Sequence, residues 1–107
     1  MPSNPAVFSP FLIHNGVLRE VADEVISLHD GAPARGRGAF ETLAAYRGRP
    51  FLVEPHFERL RRAADTLELA CPSDTEIVAA IERLLSANEL TTVARSRIRV
   101  TLTSPPA

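Results

Sequence analysis

The sequence contains no lysine, and all 12 of its basic residues are arginine. A reaction that needs a lysine amine, such as Schiff-base formation with a carbonyl compound, therefore cannot use a side chain of this chain. Cysteine is nearly absent as well, since Cys71 is the only one. A single cysteine excludes an internal disulfide framework and a cysteine-rich zinc site, and it favours a reducing, cytoplasmic location.

An excess of either charge is also missing. The 12 arginines oppose 13 acidic residues, so the formal net charge is -1, and no basic surplus exists for binding a nucleic-acid backbone. No apolar run approaches the ~18 residues of a membrane span, and the N-terminus lacks the basic-then-apolar order of a secretory signal. We therefore expect a cytoplasmic protein with no nucleic-acid partner and no membrane partner.

What is present is the composition of one small folded domain. The chain has 107 residues, of which 45% are hydrophobic and 23% are charged, and these values are typical of a globular domain. Residues 1–10 contain three prolines without periodicity, which indicates an extended lead-in segment. We expect the folded domain to occupy residues 11–107.

Short β-prone segments begin this domain. Residues 11–20 contain two such segments around Asn15-Gly16, a dipeptide suited to a type I′ turn, and they predict a β-hairpin. Residues 25–28 indicate a further short strand.

Residues 39–46 fit two structures. Their alanines favour a helix, whereas their alternating large residues favour a strand. The glycine-containing turn at residues 47–50 leads into β-prone residues 51–53, and this order favours a strand and a second hairpin.

Two amphipathic helices follow. The first opens at Glu54-Pro55, with proline at the first helical position, and should end before Pro72. The second begins with Ser73 and Glu76 in capping-box spacing. Asn88 is the expected left-handed terminator of that helix. The predicted apolar positions are Phe57, Leu60, Ala64 and Leu67 in the first helix and Ile77, Ile81, Leu84 and Leu85 in the second.

The chain ends with a pattern typical of a strand that has one solvent-exposed face. In residues 97–103, apolar residues alternate with Arg97, Arg99 and Thr101. The order of elements predicts an α+β fold, with a largely antiparallel sheet and both helices packed on it.

Two features of the sequence bear on cofactor and metal binding. Gly36 and Gly38 match the first glycines of a dinucleotide-binding fingerprint, but Glu41 stands in place of the third and no parallel strand-helix-strand unit surrounds them. A glycine turn before a strand is the better interpretation. The three histidines lack the i, i+4 spacing of a helical metal pair, so we expect no metal site. His56 lies on the apolar side of the first helix, which predicts a packed, hydrogen-bonded histidine.

The arginines divide by position. Arg62 points away from the apolar stripe of the first helix, whereas Arg59 sits on its border and could aim a phosphate-gripping guanidinium into a cleft. Arg97 and Arg99 share one face of the last strand and could bind an anionic group. Ordinary solvated arginine is the competing interpretation at each of these positions.

Taken together, these motifs follow the order seen in one family. The sequence resembles the N-terminal, smaller domain of class IV (fold type IV) aminotransferases, which use pyridoxal 5′-phosphate. The family includes D-amino-acid aminotransferases, branched-chain aminotransferases and 4-amino-4-deoxychorismate lyases. The resemblance extends over residues 12–103, through Asn15-Gly16 and the segments 36–43, 46–52, 56–60 and 97–103.

The resemblance implies roles for a few residues. Arg59 falls on the arginine that binds the cofactor phosphate. Phe40 falls on an aromatic position that faces the substrate side of the cofactor and is often tyrosine, so here the wall is kept and the hydroxyl donor is lost. Arg99 lies on the strand whose side chains approach the site, which implies a substrate-binding role.

The family's catalytic lysine belongs to a larger C-terminal domain, which the resemblance implies is absent from this chain. The chain then has no catalytic residue of its own and should be inactive alone. Gly31-Ala32 and Ser104-Pro105 depart from the Arg-Gly pairs usual at those places. The resemblance implies part of a homodimeric aminotransferase acting on an amino acid and a 2-oxo acid. The alternatives are a 4-amino-4-deoxychorismate lyase-like enzyme and a non-catalytic, stand-alone module that kept the fold.

Overall fold

Residues 10–20 and 38–103 are described by a computed structural model of the chain. The predicted lead-in up to residue 9, the strand at 25–28 and the loop at 36–37 lie outside these residues. The described elements are the strands β1 (Phe11–His14), β2 (Val17–Glu20), β3 (Gly38–Tyr46), β4 (Arg49–Pro50) and β5 (Ser96–Thr103) and the helices α1 (Val53–Leu67) and α2 (Asp74–Ala87).

The first hairpin is confirmed. β1 pairs antiparallel with β2, and the ladder closes at the pair His14 and Val17. The two turn residues both have positive φ, 51° at Asn15 and 80° at Gly16, as a type I′ turn requires. The local sequence therefore specifies the turn of this hairpin.

The second sheet has the order β4-β3-β5 and is antiparallel throughout. This confirms the strand interpretation of residues 39–46. Thr42 lies opposite Arg99 in this ladder, and Ala44 lies opposite Arg97. With two helices beside antiparallel strands, the predicted α+β class is confirmed.

The predicted strand at residues 51–53 is wrong. β4 contains only Arg49–Pro50, and a last hydrogen bond to β3 runs from the Phe51 N–H to the Ala44 carbonyl at 2.8 Å. Leu52 then adopts a left-handed conformation with φ 55°, and Val53 begins α1. Pro55 is therefore the third helical residue and not the first. A proline is tolerated there because the N–H groups of the first helical turn have no partner within the helix.

The start of α2 is as predicted, and its end is not. Ser73 and Glu76 form a complete capping box. Asn88, however, has φ -91°, and the left-handed residue is Glu89, with φ 56°. The Asn88 side chain instead bonds β1: its Oδ1 accepts from the Phe11 N–H at 3.0 Å and its Nδ2 donates to the Phe11 carbonyl at 3.1 Å. This tertiary link ties the first hairpin to α2.

The core lies between the helices and one face of the β3–β5 sheet. α1 packs on β3, and α2 contacts β1 and β4. Phe57 and Leu60 of α1 are almost completely buried. The opposite face of the sheet, here called the open face, carries Phe40, Thr42, Ala44 and Tyr46 of β3 and Arg97, Arg99 and Thr101 of β5. None of the helices within the described ranges is long and apolar enough to span a membrane.

Candidate functional site

A carboxylate organises the residues where β3 meets α1. Glu41 is only 12% exposed, and its Oε1 accepts hydrogen bonds from His56 Nδ1 at 2.7 Å and from Arg59 Nη2. An ionised carboxylate can only accept, so His56 Nδ1 carries a proton in this arrangement. The prediction of a packed, hydrogen-bonded His56 is confirmed.

The alternation of β3 and the pitch of α1 bring these three side chains together. Glu41 lies on the helix-facing side of the strand, between the buried Ala39 and Leu43. His56 and Arg59 are three residues apart on α1, a spacing that places two side chains on the same helical face. One carboxylate can therefore bond both.

The pKa of Glu41 reflects this environment. Burial alone raises the pKa of the carboxyl, but the hydrogen bonds from His56 and Arg59, together with the Arg59 charge, hold it below its ordinary value. Glu41 is thus a fixed anion, and it holds one edge of the Arg59 guanidinium.

Arg59 keeps most of its hydrogen-bonding capacity. Its side chain is 62% exposed, and a guanidinium has five N–H donors in a planar fork. Within the described part of the chain, Glu41 is its carboxylate partner. The remaining donors can grip a two-oxygen anion such as phosphate. Arg62, in contrast, is 71% exposed and lies 3.8 Å from Glu58 one turn earlier on the same helix.

Phe40 and Arg99 meet on the open face. Phe40 is 57% exposed, and the Arg99 guanidinium carbon lies 4.1 Å from the centre of its ring, a cation–π contact. Because Phe40 and Glu41 are consecutive in β3, their side chains point to opposite faces of the sheet. The sequence-predicted residues therefore form two groups, Arg59 by the helix and Phe40 with Arg99 on the open face.

Sequence reasoning missed Glu41. The sequence patterns treat Glu41 as a helix-favouring residue and as a break in a glycine fingerprint, although the strand pattern contains a usable signal for a site residue. In a strand whose alternate residues Ala39, Leu43 and Ala45 are buried, Glu41 falls on the buried side. A carboxylate there needs partners, and the nearest helix offers His56 and Arg59. Among the described residues, no cluster of three or more metal-ligating side chains occurs.

Comparison with known proteins identifies a matching family and relatives with similar sequences. The model of the family "Amino-transferase class IV" matches residues 38–107. Aminodeoxychorismate lyase of Bacillus subtilis is 35% identical over 91 residues, which cover 84% of this chain and 31% of that protein. D-alanine aminotransferase of Staphylococcus epidermidis is 32% identical over 77 residues, covering 71% of this chain and 27% of the relative.

Solved structures agree with the fold. A branched-chain aminotransferase from Thermoproteus uzoniensis superposes with a TM-score of 0.72 at 26% identity, over 87% of this chain and 33% of that one. A fold IV transaminase from Curtobacterium pusillum gives a TM-score of 0.66 at 27% identity, over 81% and 31%. The chain spans about a third of the length of the curated relatives it matches. Since the family model covers the strand of Glu41, the helix of Arg59 and the strand of Arg99, the chain belongs to the class IV aminotransferase family.

Proposed function

We propose that this chain is the smaller, N-terminal domain of a pyridoxal-phosphate-dependent aminotransferase that moves an amino group between an amino acid and a 2-oxo acid. The observation that carries the proposal is the family match, which includes both groups of predicted site residues. In this proposal residues 11–107 form the domain, and a larger domain supplies the amine that a chain without lysine cannot provide.

The residues present fit the cofactor's phosphate. Arg59 offers exposed, coplanar donors, and the anionic Glu41 fixes the orientation of its guanidinium. When bound, pyridoxal phosphate supplies the electron sink for chemistry at the substrate's α-carbon. Arg59 would bind the phosphate. Glu41 and His56 would not contact the phosphate and would contribute by holding Arg59 in place.

Phe40 and Arg99 would face the substrate. The Phe40 ring offers an apolar wall that helps exclude water, and Arg99, resting on that ring, offers a charge for a substrate carboxylate. Phe40 itself has no group that can donate to the carboxylate. Recognition from this domain would then depend on Arg99.

A lyase acting on aminodeoxychorismate is the second candidate. It is favoured by one observation, the 35% identity to the Bacillus subtilis lyase over 84% of this chain. Both candidates use the same phosphate contact, so Arg59 does not discriminate between them. A cytoplasmic location and a homodimeric assembly complete the proposal.

The deciding experiment is an activity assay on the intact protein loaded with pyridoxal phosphate. Amino transfer from D-alanine and from branched-chain amino acids to 2-oxoglutarate is measured in parallel with the consumption of aminodeoxychorismate. Amino transfer at least 10-fold faster than lyase turnover supports the aminotransferase, and the reverse ratio supports the lyase. Cofactor-loaded protein that catalyses neither reaction contradicts both.

A further inference from the structure

A single carboxylate oxygen connects His56 to Arg59. Glu41 Oε1 accepts hydrogen bonds from His56 Nδ1 at 2.7 Å and from Arg59 Nη2. The two donors share one acceptor, so a change of charge on one of them alters the electrostatic environment of the other. Arginine stays protonated at every physiological pH, whereas histidine is the side chain that changes its charge between pH 5 and 8. His56 is therefore the member of this cluster whose charge can vary.

The hydrogen bond to Glu41 leaves one ring nitrogen of His56 for a second proton. Nδ1 already carries a hydrogen, because an ionised carboxylate can only accept, and the lone pair of the neutral ring is then on Nε2. A proton added at Nε2 makes the ring a cation without breaking the bond to Glu41. The His56 side chain is 20% exposed, so the ring can exchange protons with the solvent.

The charges around His56 are constant over the pH range in which histidine titrates. Burial raises the pKa of Glu41, but its hydrogen bonds to His56 and Arg59, together with the Arg59 charge, hold the pKa below its ordinary value, and Glu41 is therefore an anion at pH 6 and above. The other titratable or charged side chains that line a cavity together with His56 are Tyr46, Arg95 and Arg97. Tyrosine and arginine side chains do not titrate between pH 6 and 8.

The charge on His56 sets the net charge beside the phosphate contact. When the ring is neutral, the Glu41 anion balances the Arg59 guanidinium. When the ring is protonated, the three side chains together carry one net positive charge, which attracts an anion more strongly. His56 and Arg59 are three residues apart on α1, a spacing that places Cβ atoms roughly 5 to 6 Å from each other. The ring charge therefore acts on the phosphate at short range.

We propose that His56 is a pH sensor of the phosphate contact: a proton taken up at its Nε2 strengthens the binding of the cofactor phosphate by Arg59. The sensor rests on the proposed function, because Arg59 must be the residue that binds the phosphate. The coupling is reciprocal, so bound phosphate also favours the protonated ring. The intact protein then holds its cofactor more tightly at mildly acidic pH than a variant whose residue 56 cannot take up a proton.

The test measures the affinity of the intact protein for pyridoxal phosphate at pH 6 and at pH 8. His56→Asn keeps an amide N–H close to the position of Nδ1 but cannot take up a proton. The wild-type affinity divided by the His56→Asn affinity should rise about 5-fold from pH 8 to pH 6, the effect of one partly screened charge. Titration of the cofactor itself cancels in this ratio, because both proteins bind the same ligand.

The matched control is His14→Asn, which removes a histidine of β1. The wild-type affinity divided by the His14→Asn affinity should be the same at pH 6 and pH 8. Circular dichroism confirms that each variant is folded, and His56→Gln replaces His56→Asn if the asparagine variant is not.

A ratio for His56→Asn that is constant with pH would show that His56 is only a structural hydrogen-bond donor and would overturn the sensor. An equal rise for His14→Asn would show a general effect of protein charge and would overturn it as well. Arg59→Ala separates this proposal from the proposed function. Wild-type affinity in Arg59→Ala would refute the phosphate contact itself, whereas weakened binding in Arg59→Ala with a constant ratio for His56→Asn would refute the sensor alone.

Discussion

Arg59 and Arg62 lie three residues apart on α1 and have different surroundings. Arg59 is bonded to the largely buried Glu41, whereas Arg62 lies 3.8 Å from the exposed Glu58. A guanidinium held in place loses less rotamer entropy when it binds an anion than a freely moving one. The two residues therefore make a matched pair for testing the phosphate contact.

We expect Arg59→Ala in the intact protein to weaken pyridoxal phosphate binding by about 1.5 to 3 kcal/mol, the range for a hydrogen bond to a charged group. Arg62→Ala should leave the affinity nearly unchanged. The measurement is a spectroscopic titration of the apoprotein with the cofactor. Equal affinities of the two variants would remove Arg59 from the phosphate site.

Phe40 makes a second residue-scale prediction. Phe40→Tyr keeps the ring and adds a hydroxyl that can donate to a substrate carboxylate. Relative kcat/KM among acidic, aliphatic and aromatic amino donors should then shift roughly 10-fold, the effect of one good hydrogen bond. Unchanged ratios would show that Phe40 does not face the substrate.

At the scale of elements, Glu41 joins β3 to α1, and the link depends on its charge. A carboxyl whose pKa is lower in the folded chain stabilises the fold fully above its unfolded pKa, and this contribution is lost as pH falls through the folded pKa. The stabilisation by Glu41 should therefore be complete at neutral pH and decline below about pH 4.3, the ordinary glutamate value.

The measurement is urea unfolding of the wild type and of Glu41→Gln across this pH range. We expect the variant to be less stable at pH 7 and the difference to narrow as the pH falls. Glu58→Gln, at an exposed position on α1, is the control and should show almost no difference. A stability gap for Glu41→Gln that is constant with pH would show that its charge is irrelevant.

The capping box of α2 gives a second element-scale prediction. The Ser73 hydroxyl accepts from the Glu76 N–H at 3.2 Å, and the Glu76 carboxylate accepts from the Ser73 N–H at 3.1 Å. Ser73→Ala should lower the free energy of unfolding by about 1 kcal/mol. Ser86→Ala, in the last turn of the same helix, should change it by much less, and urea denaturation compares the two. Similar losses in both variants would mean that the cap contributes little.

At the scale of the whole molecule, the missing lysine sets a limit on the chemistry. The 107-residue chain, with its N-terminal amine blocked, should give no adduct with pyridoxal phosphate after borohydride reduction, because no side-chain amine is available. Mass spectrometry detects such an adduct directly. Arg62→Lys, which introduces one exposed amine, is the positive control, and an adduct on the wild-type chain would refute the argument.

The local sequence was sufficient to predict the structure wherever neighbouring residues fix the backbone conformation. Asn15-Gly16 specifies the first turn because both positions need positive φ, and Ser73 with Glu76 specifies the start of α2 because the two satisfy each other's backbone donors. Alternation in β5 likewise identified its buried face, since strand side chains alternate in any context. The lack of lysine limited the chemistry before any fold was known.

The tertiary structure decided what depends on contacts distant in sequence. Asn88 fits a left-handed helix end, yet its amide bonds Phe11, 77 residues away, and the left-handed turn moves to Glu89. The partners of Glu41 lie 15 and 18 residues further along the chain. The alternation of β3 could therefore predict that the carboxylate is buried, but it could not identify the side chains that bond it. A buried charge requires a partner of opposite charge or a hydrogen-bond donor. Only the packing of α1 on β3 determined that His56 and Arg59 would be the partners of Glu41.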